Sequence, residues 1–185
     1  MDDERELARR CLAGDADAVR AFVDQFHALI FSLCFRMLGH RHDAEDATQD
    51  VFVRAFRHLD HWDATRPLRT WLLTIAANRC RTRLAKRTKT PVAMEHAHEI
   101  AGDNPVRSMD LAEELQRGLG ELREDYRICF LLFYEQQLSV QEVATTLECP
   151  EGTVKTWLYR ARKFLAEYLR QRGVVTPDGY ELHTP

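Results

Sequence analysis

Long apolar runs are missing from this chain of 185 residues. No stretch approaches the roughly 20 apolar residues that a membrane-spanning helix needs, and the N-terminal Met-Asp-Asp-Glu-Arg-Glu is the opposite of a signal peptide. We therefore expect a cytoplasmic protein with no membrane insertion. A nucleotide-binding loop and a catalytic residue pair are also missing, so the sequence predicts neither an enzyme nor a cofactor.

Paired metal-ligand motifs are missing as well. The five cysteines are scattered, odd in number and without any C-x-x-C pair, and four of them have apolar neighbours. This pattern favours buried thiols over disulfides or zinc ligands. The spacing of Glu95 and His98 could ligate a metal from a helix, but no second such motif exists, so we expect no metal site. The cysteines are Cys11, Cys34, Cys80, Cys129 and Cys149.

What the sequence does have is helical periodicity. With 45% hydrophobic and 30% charged residues, the composition is typical of a helix-rich globular protein. Residues 4–12 predict a short helix, and Asp15 can cap a long one whose apolar stripe continues to Gly39. Periodicity is lost over residues 91–108. We expect an all-α fold of two small helical domains, 1–90 and 109–172, joined by that flexible linker, with a tail at 173–185 of unknown role.

Residues 66–87 predict one helix with an apolar face and a basic face. Pro67 suits the first turn. Between Ala64 and Thr90 there are eight Lys or Arg and no Asp or Glu, in a chain whose net charge is −3. We expect this face to bind an anion and favour nucleic acid, although a solvated basic helix is the alternative, and for Trp71 by itself we favour the core. The expected buried stripe is Leu68, Leu72, Ile75, Ala76, Cys80 and Leu84, and the opposite side carries Thr74, Asn78, Arg81 and Thr82.

The segment that starts at His40 predicts a helix with an acidic edge. Asp43 is the expected N-cap, and Glu45 and Asp46 suit the first turn. An outward Phe52 would be poorly explained by a solvated helix start, so we expect a protein partner with a basic surface. The expected inner positions are Ala47, Val51, Ala55 and Leu59, which leaves Glu45, Gln49, Asp50 and Phe52 partly outside.

Residues 139–165 predict a helix-turn-helix. Ser139-Val-Gln-Glu142 is a capping box, and Pro150 is expected at the first position of a new helix. A short helix, a turn and a longer helix with a basic outer face are the arrangement that enters the DNA major groove. In the longer helix Val154, Leu158, Ala161 and Leu165 are expected to point inward, and Lys155, Thr156, Tyr159, Arg160, Arg162 and Lys163 outward.

Three segments in this order resemble the extracytoplasmic-function (ECF) sigma factors of bacterial RNA polymerase. They are Asp43-Ala-Glu-Asp-Ala-Thr-Gln-Asp-Val-Phe-Val-Arg-Ala-Phe, Arg69-Thr-Trp-Leu-Leu-Thr-Ile-Ala-Ala-Asn-Arg and Glu151-Gly-Thr-Val-Lys-Thr-Trp-Leu-Tyr-Arg-Ala-Arg. The resemblance implies that residues 1–90 are sigma region 2, which binds core polymerase, recognises the −10 element and assists DNA melting. It implies that residues 109–172 are region 4, which recognises the −35 element.

The resemblance also implies partners and site residues. The acidic edge would dock on the clamp helices of the largest polymerase subunit, both regions would bind promoter DNA, and an anti-sigma factor is a further expected partner. The implied polymerase-binding set is Asp43, Glu45, Asp46, Gln49, Asp50 and Phe52. The −10 set is Trp62, Arg66, Arg69, Trp71, Asn78, Arg81 and Thr82, and the −35 set is Lys155, Thr156, Tyr159, Arg160, Arg162 and Lys163.

Two other classes of protein stay open on sequence grounds. One is a helix-turn-helix regulator whose residues 1–90 sense a ligand or dimerise, although such a domain needs no second anion-binding face. The other is a metal hydrolase that uses His40, His42, Asp43 and Asp46. Those side chains crowd one helix start, without a second ligand-bearing helix to complete a site.

Overall fold

The computed structural model describes residues 2–89 and 111–173, and every regular element in those ranges is helical. This confirms the all-α prediction. The linker at 91–108, the Glu95 and His98 pair and the tail beyond Gly173 lie outside the described residues. The helices are α1 (Asp2–Leu12), α2 (Ala16–Leu38), α3 (Arg41–Arg57), α4 (Leu68–Lys89), α5 (Leu111–Glu121), α6 (Glu124–Phe130), α7 (Val140–Thr146) and α8 (Glu151–Gln171).

Helix α2 is the centre of a first bundle, α1 to α4, and packs against α1, α3 and α4. The Asp15 side chain caps it by accepting hydrogen bonds from the amides of Asp17 and Ala18, and Gly39 ends it with a left-handed φ of 77°. Both ends were predicted. By length and apolar composition alone α2 could cross a membrane, but its side chains from Phe22 to Met37 supply much of the core of this bundle.

Helix α3 differs from its prediction in two ways. It begins after His40, so Asp43 lies in the first turn and is not the N-cap. Phe52, expected partly outside, is only 7% exposed, and its ring lies against Phe22 and His27. The physical reason is that α3 packs against both α2 and α4. Two partners bury a wider face than a single stripe, and the buried positions Ala44, Ala47, Thr48, Val51, Phe52 and Ala55 span it.

Helix α4 follows the predicted pattern closely. It starts at Leu68, and Pro67 precedes it, accepting hydrogen bonds from Thr70 and Trp71 through its carbonyl. The predicted stripe is buried apart from a half-buried Ile75. Trp71 is half-buried against the core, as we favoured for this residue alone.

A second bundle contains α5 to α8, and α6 continues into a π-helical turn, Leu131–Glu135. The capping box is confirmed, because the Ser139 hydroxyl accepts from the Glu142 amide at 3.2 Å and the Glu142 carboxylate accepts from the Ser139 amide at 2.8 Å. Pro150 is the N-cap of α8 and not its first residue. The four predicted inward side chains of α8 are buried. All five cysteines are free, and the four other than Cys149 are buried.

The two bundles are in contact. Arg127 of α6 donates a hydrogen bond to the carbonyl of Met37, at the end of α2, at 2.9 Å. It also donates to the carbonyls of Leu122, at 3.0 Å, and Gly120. Burial lowers the pKa of this guanidinium. Because Arg127 satisfies carbonyls from both bundles, it ties the end of α2 to the loop between α5 and α6.

Candidate nucleic-acid and polymerase interfaces

The acidic edge of α3, which we define as Asp43, Glu45, Asp46, Gln49 and Asp50, lies beside a row of arginines on α4. Arg79, Arg83 and Arg87 follow one another at four-residue steps, so they share one face of the helix. Arg79 lies 2.6 Å from the Asp50 carboxylate and Arg83 3.1 Å from it. Arg83 is also 3.8 Å from Asp46, and Arg87 pairs with Asp43. We call these six residues the Arg–Asp ladder.

The ladder reduces the unpaired charge of both α3 and α4. Burial raises the pKa of Asp50, but hydrogen bonds from Arg79 and Arg83 outweigh that effect and hold the pKa below its ordinary value. Asp50 therefore stays ionised at neutral pH. Three of the basic residues of α4 are paired within the protein, and the exposed anionic surface of α3 is smaller than its composition suggests.

A pocket of about 310 Å³ opens on this side of α4. Leu38 and Asp43 form one part of its wall, and the remainder is basic. Its lining joins the end of α2 to the start of α3 and the last turns of α4. The basic lining residues are Arg79, Arg83, Lys86 and Arg87.

The other polar side of α4 carries the residues expected at the −10 element. Asn78 and Thr82 are exposed, and the Thr82 hydroxyl donates to the Asn78 carbonyl at 2.8 Å. Arg69 and Arg81 are half-buried because the second bundle lies against them. Arg69 donates to the Gln136 side chain at 3.2 Å, and Arg81 lies 3.6 Å from the Asp125 carboxylate.

The loop before α4 forms a compact turn. The Asp63 carboxylate accepts hydrogen bonds from the Thr65 amide at 3.0 Å and from its hydroxyl at 2.7 Å. The hydrogen bond from the Thr65 amide is the main cause of the lowered pKa of Asp63. Arg66 is exposed beside it, whereas Trp62 is half-buried with an indole N–H that has no hydrogen-bond partner. The turn thus presents Arg66 outward and Trp62 inward.

The outer face of α8 is open to solvent. Lys155, Thr156, Tyr159, Arg160 and Lys163 are exposed, as predicted, with Tyr159 at 54%. Arg162 was also predicted to point outward, but it is half-buried and less accessible than the other five.

Two tyrosines contact this face, Tyr126 of α6 and Tyr134 of the π-helical turn that follows α6. The Arg160 guanidinium donates to the Tyr126 hydroxyl at 2.9 Å and lies 6.0 Å from the centre of that ring. Arg162 reaches the Tyr134 hydroxyl at 3.4 Å. These contacts restrict the arginine side chains in advance of any DNA contact.

Sequence reasoning missed the partners of these sites. Tyr126 is close to Arg160 only after α6 packs on α8, and Asp125 and Gln136 meet α4 only after the bundles join. The four-residue spacing of Arg79, Arg83 and Arg87, opposite acids at similar steps on α3, was the one signal in the sequence that pointed to the ladder.

No group of three or more His, Cys, Asp or Glu side chains within residues 2–89 and 111–173 is arranged to hold a metal ion. His40 and His42 are therefore not part of such a cluster in the described part of the chain. The metal-hydrolase alternative has no structural support there.

Two protein-family models match the chain: Sigma-70 region 2 over residues 22–90 and Sigma-70, region 4 over residues 112–165. The ECF RNA polymerase sigma factor SigW of Bacillus subtilis is 34% identical over 171 residues, which cover 85% of this chain and 91% of that protein. The ECF RNA polymerase sigma-E factor of Escherichia coli is 30% identical over 175 residues, which cover 86% and 91%.

Two solved structures share the fold. CnrH, in complex with the cytosolic domain of CnrY, has a TM-score of 0.67 at 24% identity and covers 90% of this chain and 97% of its own. The sigma factor RpoE of Bartonella quintana, in complex with the anti-sigma factor NepR, has a TM-score of 0.69 at 24% identity and covers 82% and 96%. A match to region 2 over residues 22–90 does not favour a sensor domain in that part of the chain. The chain belongs to the ECF RNA polymerase sigma factors.

Proposed function

We propose that this chain binds core RNA polymerase and directs it to promoters by recognising the −35 and −10 elements. It acts in the cytoplasm as a non-enzymatic adaptor. The observation that carries the proposal is the solvent-exposed face of α8, with Lys155, Tyr159 and Arg160 on the second helix of a capped helix-turn-helix. A net charge of −3 gives the free chain little overall attraction to DNA, so promoter binding requires the polymerase.

Helix α8 enters the major groove at the −35 element. The planar guanidinium of Arg160 can bind two atoms of a guanine edge, and its hydrogen bond to Tyr126 orients it. Lys155 is a compact single charge that suits a phosphate or one acceptor. The Thr156 hydroxyl donates to the Gly152 carbonyl at 2.8 Å, so its free lone pairs are acceptors for a base or a water. Arg162 and Lys163 bind phosphates along the groove wall.

The −10 element is bound by the loop at residues 62–66 and by the exposed side of α4. Unstacked bases are captured beside Arg66, Asn78 and Thr82, and Arg69 and Arg81 attract the phosphates. Melting needs no hydrolysis, because each captured base offsets an unstacking cost of a few kcal/mol. Arg69 and Arg81 must first leave Gln136 and Asp125, so productive binding requires the two bundles to separate.

Core polymerase docks on the acidic edge of α3, through the clamp helices of its largest subunit. Gln49 is exposed there, and the Asp50 side chain is 41% exposed although it pairs with two arginines. A basic partner surface complements this edge. Phe52 lies under this edge and does not contact the partner directly. Its buried ring packs against His27 of α2 and so helps to hold α3 in place.

An anti-sigma factor is a further partner. The Bartonella quintana sigma factor that shares this fold was solved with the anti-sigma factor NepR, which supports the same kind of partner here. Residues 173–185 are left without a role.

Run-off transcription with purified core polymerase tests the proposal. We expect promoter-specific transcripts only when the full chain is added, and a loss of those transcripts with Arg160→Ala. Duplex binding by the chain alone as a dimer, without any polymerase-dependent transcript, would instead support the regulator alternative.

A further inference from the structure

Helix α1 holds the loop at residues 62–67 from behind. The Arg5 guanidinium donates two hydrogen bonds to the Ala64 carbonyl, from Nη2 at 3.0 Å and from Nε at 3.3 Å. The Glu4 carboxylate accepts a hydrogen bond from the amide of Leu68 at 3.2 Å. Two neighbouring residues near the start of the chain therefore contact both the middle of the loop and the first residue of α4.

The Glu4 contact supplies a helix cap that the local sequence lacks. Leu68 is the first residue of α4, so its amide has no acceptor inside the helix. The residue before it is Pro67, whose side chain has no oxygen to accept that hydrogen bond. The carboxylate of Glu4 takes this place from another helix, and its negative charge suits the positive end of the helix dipole.

The Arg5 contact holds the turn from outside. Asp63 organises the turn from inside through Thr65, while the Ala64 carbonyl points to the Arg5 guanidinium. The loop is thus held at three successive points, by Asp63 within it and by Arg5 and Glu4 from α1. A loop ordered in advance has less conformational entropy to lose when it captures a ligand.

We propose that Glu4 and Arg5 are positioning residues for base selection at the −10 element. They touch no DNA, and they fix the turn from Asp63 to Arg66 in the conformation that receives an unstacked base. This inference rests on the proposed role of that loop. Helix α1 lies before residue 22, where the match to the region 2 family model begins.

Helix α1 also packs its apolar side on α2, within the first bundle, and its Ala8 and Cys11 are buried there. A purely structural role would therefore change stability and every DNA contact together, whereas positioning changes the choice between bases. Arg9 and Glu6 offer matched controls. They lie on the same helix, carry the same charges and pair with each other at 2.7 Å.

The test measures binding of the holoenzyme, full chain plus core polymerase, to forked DNA probes. Each probe has a duplex −35 element and a single-stranded −10 element, with each of the four bases placed in turn at each −10 position. The readout is the ratio between the best and worst base at the most selective position. The variants are Arg5→Gln and Glu4→Gln, with Arg9→Gln and Glu6→Gln as controls.

We expect Arg5→Gln and Glu4→Gln to lower this ratio by about two- to fivefold, the scale for losing one partly exposed charge-assisted hydrogen bond. The controls should keep the ratio of the wild type, and affinity for a −35 duplex should be unchanged in all four. An unchanged ratio in both test variants overturns the inference while the proposed function stands. An equal loss in tests and controls also overturns it, and a wild type without any base preference overturns the proposed function as well.

Discussion

Replacing Asp50 with Asn tests the Arg–Asp ladder at its centre. The substitution keeps the shape of the side chain and removes the charge that pairs with Arg79 and Arg83. The Arg79 side chain is only 19% exposed, and its Nε has no hydrogen-bond partner, so it depends on Asp50 for compensation. Its charge would be left partly buried and unpaired.

The loss in the free energy of unfolding that Asp50→Asn causes lies between two limits. Breaking a fully buried ion pair costs about 3–5 kcal/mol, whereas an exposed pair contributes about 0.2–1 kcal/mol. The Asp50 side chain is 41% exposed, so solvent screens its charge. The cost should therefore lie above that of an exposed pair and well below that of a fully buried one. We expect Asp50→Asn to lower the free energy of unfolding by about 1–2 kcal/mol, which corresponds to about 2–8 °C in Tm for a chain of this size.

The pH dependence gives an independent check. The folded-state pKa of Asp50 lies below its ordinary value, so its contribution is present above pH ~4 and is lost as the pH falls through the lowered pKa. Urea melts of both proteins from pH 7 to pH 3 should therefore show a gap that narrows in acid. Asp60→Asn is the control, because that carboxylate is 59% exposed and lies 3.9 Å from the His61 imidazole, beyond hydrogen-bond distance. Equal stability at pH 7, or a gap that stays constant into acid, would refute the ladder as a source of stability.

Three further outcomes are expected. Gln49→Arg should strongly reduce capture of core polymerase in a pull-down and leave the helical circular dichroism intact, because it places a positive charge at an exposed position of the acidic edge and removes no residue of the ladder. Gln25→Arg on α2 is the control, and undiminished capture would contradict the docking surface. Arg160→Ala should weaken holoenzyme binding to the cognate −35 element by about 1–3 kcal/mol and flatten its base preference, and an equal loss on scrambled duplexes would mean that Arg160 binds only phosphate. In the native protein Cys149 should react faster with a thiol reagent at pH 8 than the other four cysteines, because it is half-buried and they are buried. Burial raises the pKa of Cys149 as well, so its rate should lie below that of a free thiol, whereas the pKa of Cys129 is raised to about 12; a second thiol that reacts as fast as Cys149 would contradict this burial.

Local signals in the sequence were sufficient for most helix ends and inner faces. Asp15, Gly39 and Ser139 act through hydrogen bonds or backbone conformations within a few residues, so their roles can be predicted without knowing the tertiary structure. The buried stripe of α8 follows from its own 3.6-residue period, since α8 presents one face to the second bundle.

The predictions of exposure were wrong where a side chain packs against a second helix or bundle. Phe52 was expected outside because one stripe was assigned to α3, but α2 and α4 each bury part of that helix. Arg81 was expected to be open to nucleic acid, but it lies beside Asp125, 44 residues along the chain. Such contacts depend on how separate helices pack, which the period of a single helix does not determine.

The contacts of Arg69 and Arg81 with the second bundle have a consequence for counterions. Salt weakens the attraction of both arginines to phosphates, and it also weakens the Arg81–Asp125 ion pair that holds Arg81 against the second bundle. The two effects oppose each other. Screening of the phosphates lowers the affinity for DNA, whereas screening of the Arg81–Asp125 pair makes Arg81 more available to bind it. The slope of log affinity against log salt for the −10 strand should therefore be shallower than the number of contacted phosphates implies. Substituting Asp125 with Ala should restore the full slope.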